Sequence, residues 1–148
     1  MYEHLLVPVD GSDLSNKAVA HAIGLAKMLG ASITGVTVEP PLPVLVVEQA
    51  AVAYDVATFQ EHEKRCEAHA REILEAFADK AKQAGVPFDG QFLITDDVQQ
   101  AIVDTAQKKG CDLIVMATHG RHGLDALIHG SLAKSVLAHS EVPLLILH

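Results

Sequence analysis

The sequence predicts an α/β fold: a single five-stranded parallel sheet with helices on both faces. Three observations carry this: short, solidly apolar runs recur along the chain, helical stripes lie between them, and a glycine follows each of the first three stripes. The first run, residues 5–9, ends on the turn cluster Asp10-Gly11-Ser12. Ser12 and Asp13 suit a helix start, the stripe runs through Ala18, Val19, Ala22, Leu25, Ala26 and Leu29, and Gly30 suits the stop. Residues 33–38 form the second run. The second helix carries Phe59, Cys66, Ala70, Ile73, Phe77, Ala81 and Ala84 up to Gly85. A third strand at 88–94 leads to a helix with Val98, Ala101, Ile102 and Ala106 before Gly110. The fourth strand is 113–117, the fourth helix begins near Ser131 with Leu132, Ala133, Val136 and Leu137, and residues 142–147 close the chain. The order is therefore βαβαβαβαβ, which requires parallel strands, right-handed crossovers and a Rossmann-like architecture.

A length of 148 residues fits one domain spanning 1–148, which buries roughly 68–70% of its unfolded surface. The chain is 49% hydrophobic and 20% charged, a globular composition. A formal charge of −8 argues against nonspecific binding to nucleic acid or an anionic membrane, because both need dense Lys and Arg. Any anion must be met locally. Cys66 and Cys111 have neither the count nor the spacing of a disulfide framework or metal knuckle, and Cys111 sits in an apolar run that reads as buried. A reducing cytoplasm is the expected compartment. The start, Met-Tyr-Glu-His, lacks a basic leader region, and no uncharged apolar stretch reaches the ~18–20 residues of a membrane span.

In a doubly wound sheet ligands collect beyond the carboxyl ends of the strands, where the winding reverses, so the loops after strands one and four are the places to search. After strand four the chain reads Ala117-Thr118-His119-Gly120-Arg121-His122-Gly123, and Gly130-Ser131 then falls where the last helix starts. Glycines allow close backbone approach, and a helix N-terminus offers unpaired amides and a positive dipole end: an anion-binding arrangement. The same pattern also fits a flexible glycine loop with Ser131 as a plain helix cap.

These residues resemble a known family, the universal stress proteins, whose ATP-binding members carry Gly-x2-Gly-x9-Gly-Ser/Thr after the fourth strand. Gly120, nine intervening residues and Gly130-Ser131 match that pattern, while Ala117 stands at its first glycine. Val7-Pro8-Val9-Asp10-Gly11-Ser12 is similar to the family's first strand and turn, and residues 112–116 and 142–146 to its fourth and fifth strands. The resemblance implies an adenine nucleotide ligand (ATP, ADP or AMP, with magnesium as its companion ion) and a fold like the adenine nucleotide alpha hydrolases. It places Gly120, Gly130 and Ser131 at the phosphates, Ala117 by the ribose, Val38 in the adenine pocket, and Pro8, Val9 and Asp10 against base and sugar. His119, Arg121 and Leu132 complete the expected binding set. Asp10 has a second reading, since a carboxylate in such a turn equally caps the following helix.

The resemblance further implies a stress-response or regulatory module with at most slow ATP hydrolysis and no catalytic residue, and a homodimer paired through the last strand. A second reading is a dimeric interaction module of the same fold that binds no nucleotide. His122 and His129 join His119 in crowding the glycine segment, where protonation adds positive charge, although they also read as ordinary polar loop residues. His62, Cys66 and His69 share one helix face and would suit zinc if a fourth partner approached; a stripe with cysteine inward and histidines at its edge needs no metal, and none is assigned. No Gly-x-Ser-x-Gly elbow supports a hydrolase at Ser12. Residues 39–57 form the one long connection, with Pro40, Pro41 and Pro43 and an apolar middle, and read as a lid, a contact loop or a mobile insertion.

Overall fold

A computed structural model describes residues 1–118 and 131–148. The elements are β1 (His4–Pro8), α1 (Asp13–Leu29), β2 (Ser32–Glu39), β3 (Leu45–Val47), β4 (Ala50–Val52), α2 (Val56–Ala84), β5 (Phe88–Ile94), α3 (Val98–Lys109), β6 (Leu113–Ala117), α4 (Ser131–His139) and β7 (Leu144–Leu147). Five strands form one sheet in the order β5-β2-β1-β6-β7, and every neighbouring pair is parallel. The predicted α/β class and its five strands are observed.

Both faces of the sheet are buried, which is why its central strands lack polar alternation. Leu5, Val7, Ile33, Leu113 and Val115 pack with Val19, Ala22 and Ala26 of α1 and Phe77 and Ala81 of α2. On the opposite face Leu6, Val36, Ile114 and Met116 pack with Ile102 and Ala106 of α3 and Ala133 and Val136 of α4. Consecutive residues such as Leu5 and Leu6 thus serve different cores, as the period of two in a strand requires.

Local chemistry sets the helix ends. Ser12, Asp55 and Asp97 are N-caps whose side chains accept from Ser15 N, Thr58 N and Gln100 N. Gly30, Gly85 and Gly110 close the same helices in the left-handed region, as the sequence predicted. β1 and β2 differ from expectation by one residue at each end, and two further boundaries differ for a visible reason. α2 begins at Val56, before the predicted stripe, because Asp55 supplies a cap that hydrophobic spacing does not reveal. β7 begins at Leu144 rather than 142, since Pro143 has no N–H to give the ladder and only its carbonyl takes part, accepting from Ile114 N at 2.9 Å.

The long connection is also more ordered than its composition indicated. β3 and β4 form an antiparallel hairpin with Val46 opposite Ala51, turned by Glu48 and Gln49 at φ 50° and 66°. Positive φ at both turn positions matches the right-handed twist of the ribbon, a turn usually signalled by Asn-Gly and here made without glycine.

Cys111 is buried, and burial pushes its thiol from an ordinary 9.0 up to about 11. The unfolded thiol therefore loses its proton first. Stability should fall as pH rises from about 9 to about 11, by up to roughly 3 kcal/mol from this group. Denaturant melts across that range should show a smaller alkaline loss in Cys111→Ala than in the parent chain; equal slopes would remove Cys111 as the source.

Candidate functional site

At the bottom of the sheet β1 and β6 are tied together. The Asp112 carboxylate accepts from Glu3 N at 2.8 Å and from His4 N at 3.1 Å. Their pairing covers Leu5 with Leu113 and Leu6 with Ile114 and then ends, although β1 continues to Pro8 and β6 to Ala117. The outer ladders do not end there: β1 pairs with β2 up to Pro8 and Val36, and β6 with β7 up to Ala117 and Leu147. The ladder between the two central strands thus stops short of their carboxyl ends, whereas the outer ladders run on. This is where the winding reverses, since β2 and β5 lie to one side and β7 to the other.

The predicted residues that can be placed gather at this end of the sheet. Pro8 ends β1, and Val9, buried, still donates its N–H to Val36 O at 2.9 Å. Asp10 follows; its Oδ1 accepts from Ser12 N at 2.9 Å while its own N–H donates to Ser15 Oγ at 3.2 Å. Asp10 therefore braces the turn, and the helix cap itself is Ser12, whose Oγ accepts from Ser15 N at 3.1 Å. Gly11 makes the turn possible at φ +80°, where a Cβ would also stand 3.3 Å from Ile73. Val38 is near the end of β2, half-buried against the core that includes Met116. Ala117 ends β6, half-buried, and Ser131 and Leu132 open α4, both exposed. His119, Gly120, Arg121 and Gly130 lie outside the described residues, as do His122 and His129.

Ala117 replaces a motif glycine without backbone strain. Among the described residues only Glu48 and Gln49 combine a side chain with positive φ, and Ala117 is ordinary strand paired with Leu147. The substitution adds a methyl group and nothing more.

His62 and Cys66 meet each other, whereas His69 meets a partner the sequence did not single out. Glu39, at the end of β2, has a buried side chain whose Oε1 lies 2.6 Å from His69 Nδ1. His62 Nε2 is 2.9 Å from the Pro40 carbonyl and 3.3 Å from Cys66 Sγ, and burial raises the Cys66 thiol pKa, with the Glu39 charge adding to the shift. Among the described residues no three His, Cys, Asp or Glu converge on a point that could hold a metal. These contacts fasten the end of β2 to α2. A cavity of about 320 Å³ runs beside edge strand β5 and α3, lined by residues including Gln91, Leu93, Asp97, Asp104 and Lys108. It lies two strands from the β1–β6 pair and contains none of the predicted residues. Among the described residues no helix is long and apolar enough to cross a membrane.

Fold and crevice together define a doubly wound α/β protein with a candidate ligand site at its switch point. A family model described as the universal stress protein family matches residues 1–148. A universal stress protein of Methanocaldococcus jannaschii is 30% identical over 146 residues, 99% of this chain and 82% of that protein. UspA from Lactobacillus plantarum shares the fold with a TM-score of 0.82 at 20% identity, covering 99% of this chain and 98% of that one. A universal stress protein solved in complex with cAMP gives a TM-score of 0.69 at 25% identity, covering 99% and 97%. The chain belongs to the universal stress protein family.

Proposed function

We propose that this chain is a single-domain cytoplasmic stress-response module that binds an adenine nucleotide in the crevice between β1 and β6. The observation that carries the reading is the end of the β1–β6 ladder at Leu6 and Ile114, at the switch point, with Val9, Asp10, Val38 and Ala117 at the strand ends beyond it. A family member of the same fold in complex with cAMP supports an adenine nucleotide as the ligand class. In this reading Pro8, Val9, Asp10 and Val38 hold base and sugar, Ala117 lies by the ribose, Gly120, Gly130 and Ser131 cradle the phosphates, and His119, Arg121 and Leu132 complete the binding set. ATP, with magnesium bridging its phosphates, is one member of that class. No side chain is assigned to catalysis, so hydrolysis is slow at most. The edge of β7 pairs two copies into a homodimer, since an apolar edge strand whose outer side has no strand partner among the described residues favours a partner.

Protein purified under native conditions and then denatured should release ATP, ADP or AMP, read by mass spectrometry, and nucleotide-stripped protein should bind at least one of them in titration calorimetry. No released nucleotide, together with no binding heat for any of the three, would leave the nucleotide-free interaction module as the function.

A further inference from the structure

The hairpin β3–β4 stands apart from the two cores. All six of its strand residues are exposed, and four of them are large and apolar: Leu45 at 45%, Val46 at 64%, Val47 at 58% and Val52 at 45%. Val44 is exposed beside them, as are Val56 and Phe59 at the start of α2. The open end of the ribbon is closed by Tyr54, whose hydroxyl donates to Pro43 O at 2.6 Å and whose ring meets Phe59 edge-on at 5.7 Å. Among the described residues, nothing in either core covers the ribbon beyond that closure. An isolated two-stranded ribbon is marginal in water, and an apolar one with a free outer edge is a pairing template.

We infer that the outer edge of β3 pairs antiparallel with β3 of a second copy of this chain, making the hairpin a self-association element. Three features favour a second copy over other occupants. Two ribbons joined edge to edge give four strands, which passes the three-strand requirement for a stable small sheet without any other protein. Between residues 40 and 54 the only charge is Glu48, and an antiparallel two-fold centred on Val46 sets Glu48 opposite Val44 of the partner copy, so like charges are not opposed. A net charge of −8, with no basic residue on the ribbon, disfavours an anionic lipid surface or nucleic acid as the occupant. β3 is the edge that pairs because it offers Leu-Val-Val, whereas β4 offers Ala-Ala-Val, with less side chain to pack across the join.

The contact is independent of nucleotide binding and of β7. It can be read by crosslinking, because Cys66 and Cys111 are both buried. Val46→Cys places a thiol on the proposed two-fold. Val52→Cys sits on the far strand, away from the axis, and Met28→Cys is an exposed position on α1. At low micromolar protein under mild oxidation, Val46→Cys should form crosslinked dimer roughly a hundredfold faster than Met28→Cys, since apposition replaces micromolar encounters with millimolar effective concentration. Val52→Cys should stay near the Met28→Cys rate. The experiment is repeated in a Leu145→Lys background, which blunts the β7 edge. Fast Val46→Cys crosslinking there supports the inference even if pairing through β7 fails. A Val46→Cys rate equal to that of Met28→Cys in both backgrounds would overturn it, and would assign the ribbon to a different partner.

Discussion

Phe77→Ala should destabilise the protein by about 3–5 kcal/mol, a large share of the roughly 5–15 kcal/mol that holds a domain folded. Phe77 lies on α2 and is 2% exposed. Its ring is 4.6 Å, centroid to centroid, from Phe88 on edge strand β5, so it joins helix, sheet and edge in one contact. The space it occupies was made by Gly35 of β2: a Cβ there would stand 2.8 Å from the Phe88 ring and 3.0 Å from the Phe77 ring. Gly35 is paired on both sides, to Val7 in β1 and to Gly90 in β5, so the backbone beneath the ring is fixed and cannot close over a cavity. A truncation that cannot be refilled costs toward the upper end of its range. Urea denaturation with an unchanged m-value would measure it. A loss below about 1 kcal/mol would mean that the site collapses and that the Gly35 gap does not confine the ring.

The same group of residues marks what the sequence could disclose. Phe77 was legible as a core position because it repeats at helical spacing with Ile73 and Ala81, and the strands were legible because burial on two faces leaves apolar runs. Caps at Ser12 and closures at glycine follow from local chemistry and could be placed within a residue or two. Gly35 could not be read as a ring-sized gap, since that depends on Phe77 and Phe88 arriving from elements far apart in the chain. The hairpin escaped for a different reason. Its turn uses Glu48 and Gln49 at positive φ, positions where glycine or asparagine normally supplies the signal, and its strands are only three residues long.

At the candidate site, the doubly wound order pointed to the loops after the first and fourth strands, and the individual residues Pro8, Val9, Asp10, Val38 and Ala117 were named by the family resemblance; the structure places all five at or next to the carboxyl ends of β1, β2 and β6. The early end of the β1–β6 ladder was not legible, because it is a property of two strands' register. Asp10 illustrates the limit within a single residue. Its type fits a cap or a ligand contact equally, and only the bond from Ser12 N to its carboxylate shows that it holds the turn while Ser12 does the capping. Glu39 was missed because nothing near it in the chain marks a buried carboxylate; its partner, His69, is 30 residues away.

Gly130→Asp should weaken adenine nucleotide binding tenfold or more. Gly130 lies outside the described residues, and the expectation rests on the sequence together with the start of α4 at Ser131. In the proposed reading the phosphates meet backbone amides at this helix start, a position that favours an anion by about 0.3–1 kcal/mol when exposed and up to ~2 kcal/mol when partly buried. An aspartate there adds a side chain in the path of the phosphates and a negative charge beside theirs. Tenfold needs only about 1.4 kcal/mol, which like-charge repulsion and steric block together readily exceed. Aspartate is a favoured residue before a helix, so the ligand-free melting temperature should change little and the loss can be assigned to binding rather than to unfolding. Ser131→Ala is the graded companion, removing one hydroxyl worth about 0.5–1.5 kcal/mol, and should fall between the parent and Gly130→Asp. Titration calorimetry on nucleotide-stripped protein reads all three. If Gly130→Asp folds and binds with the affinity of the parent chain while the parent itself binds, the nucleotide sits elsewhere on the sheet and its phosphates do not meet the start of α4.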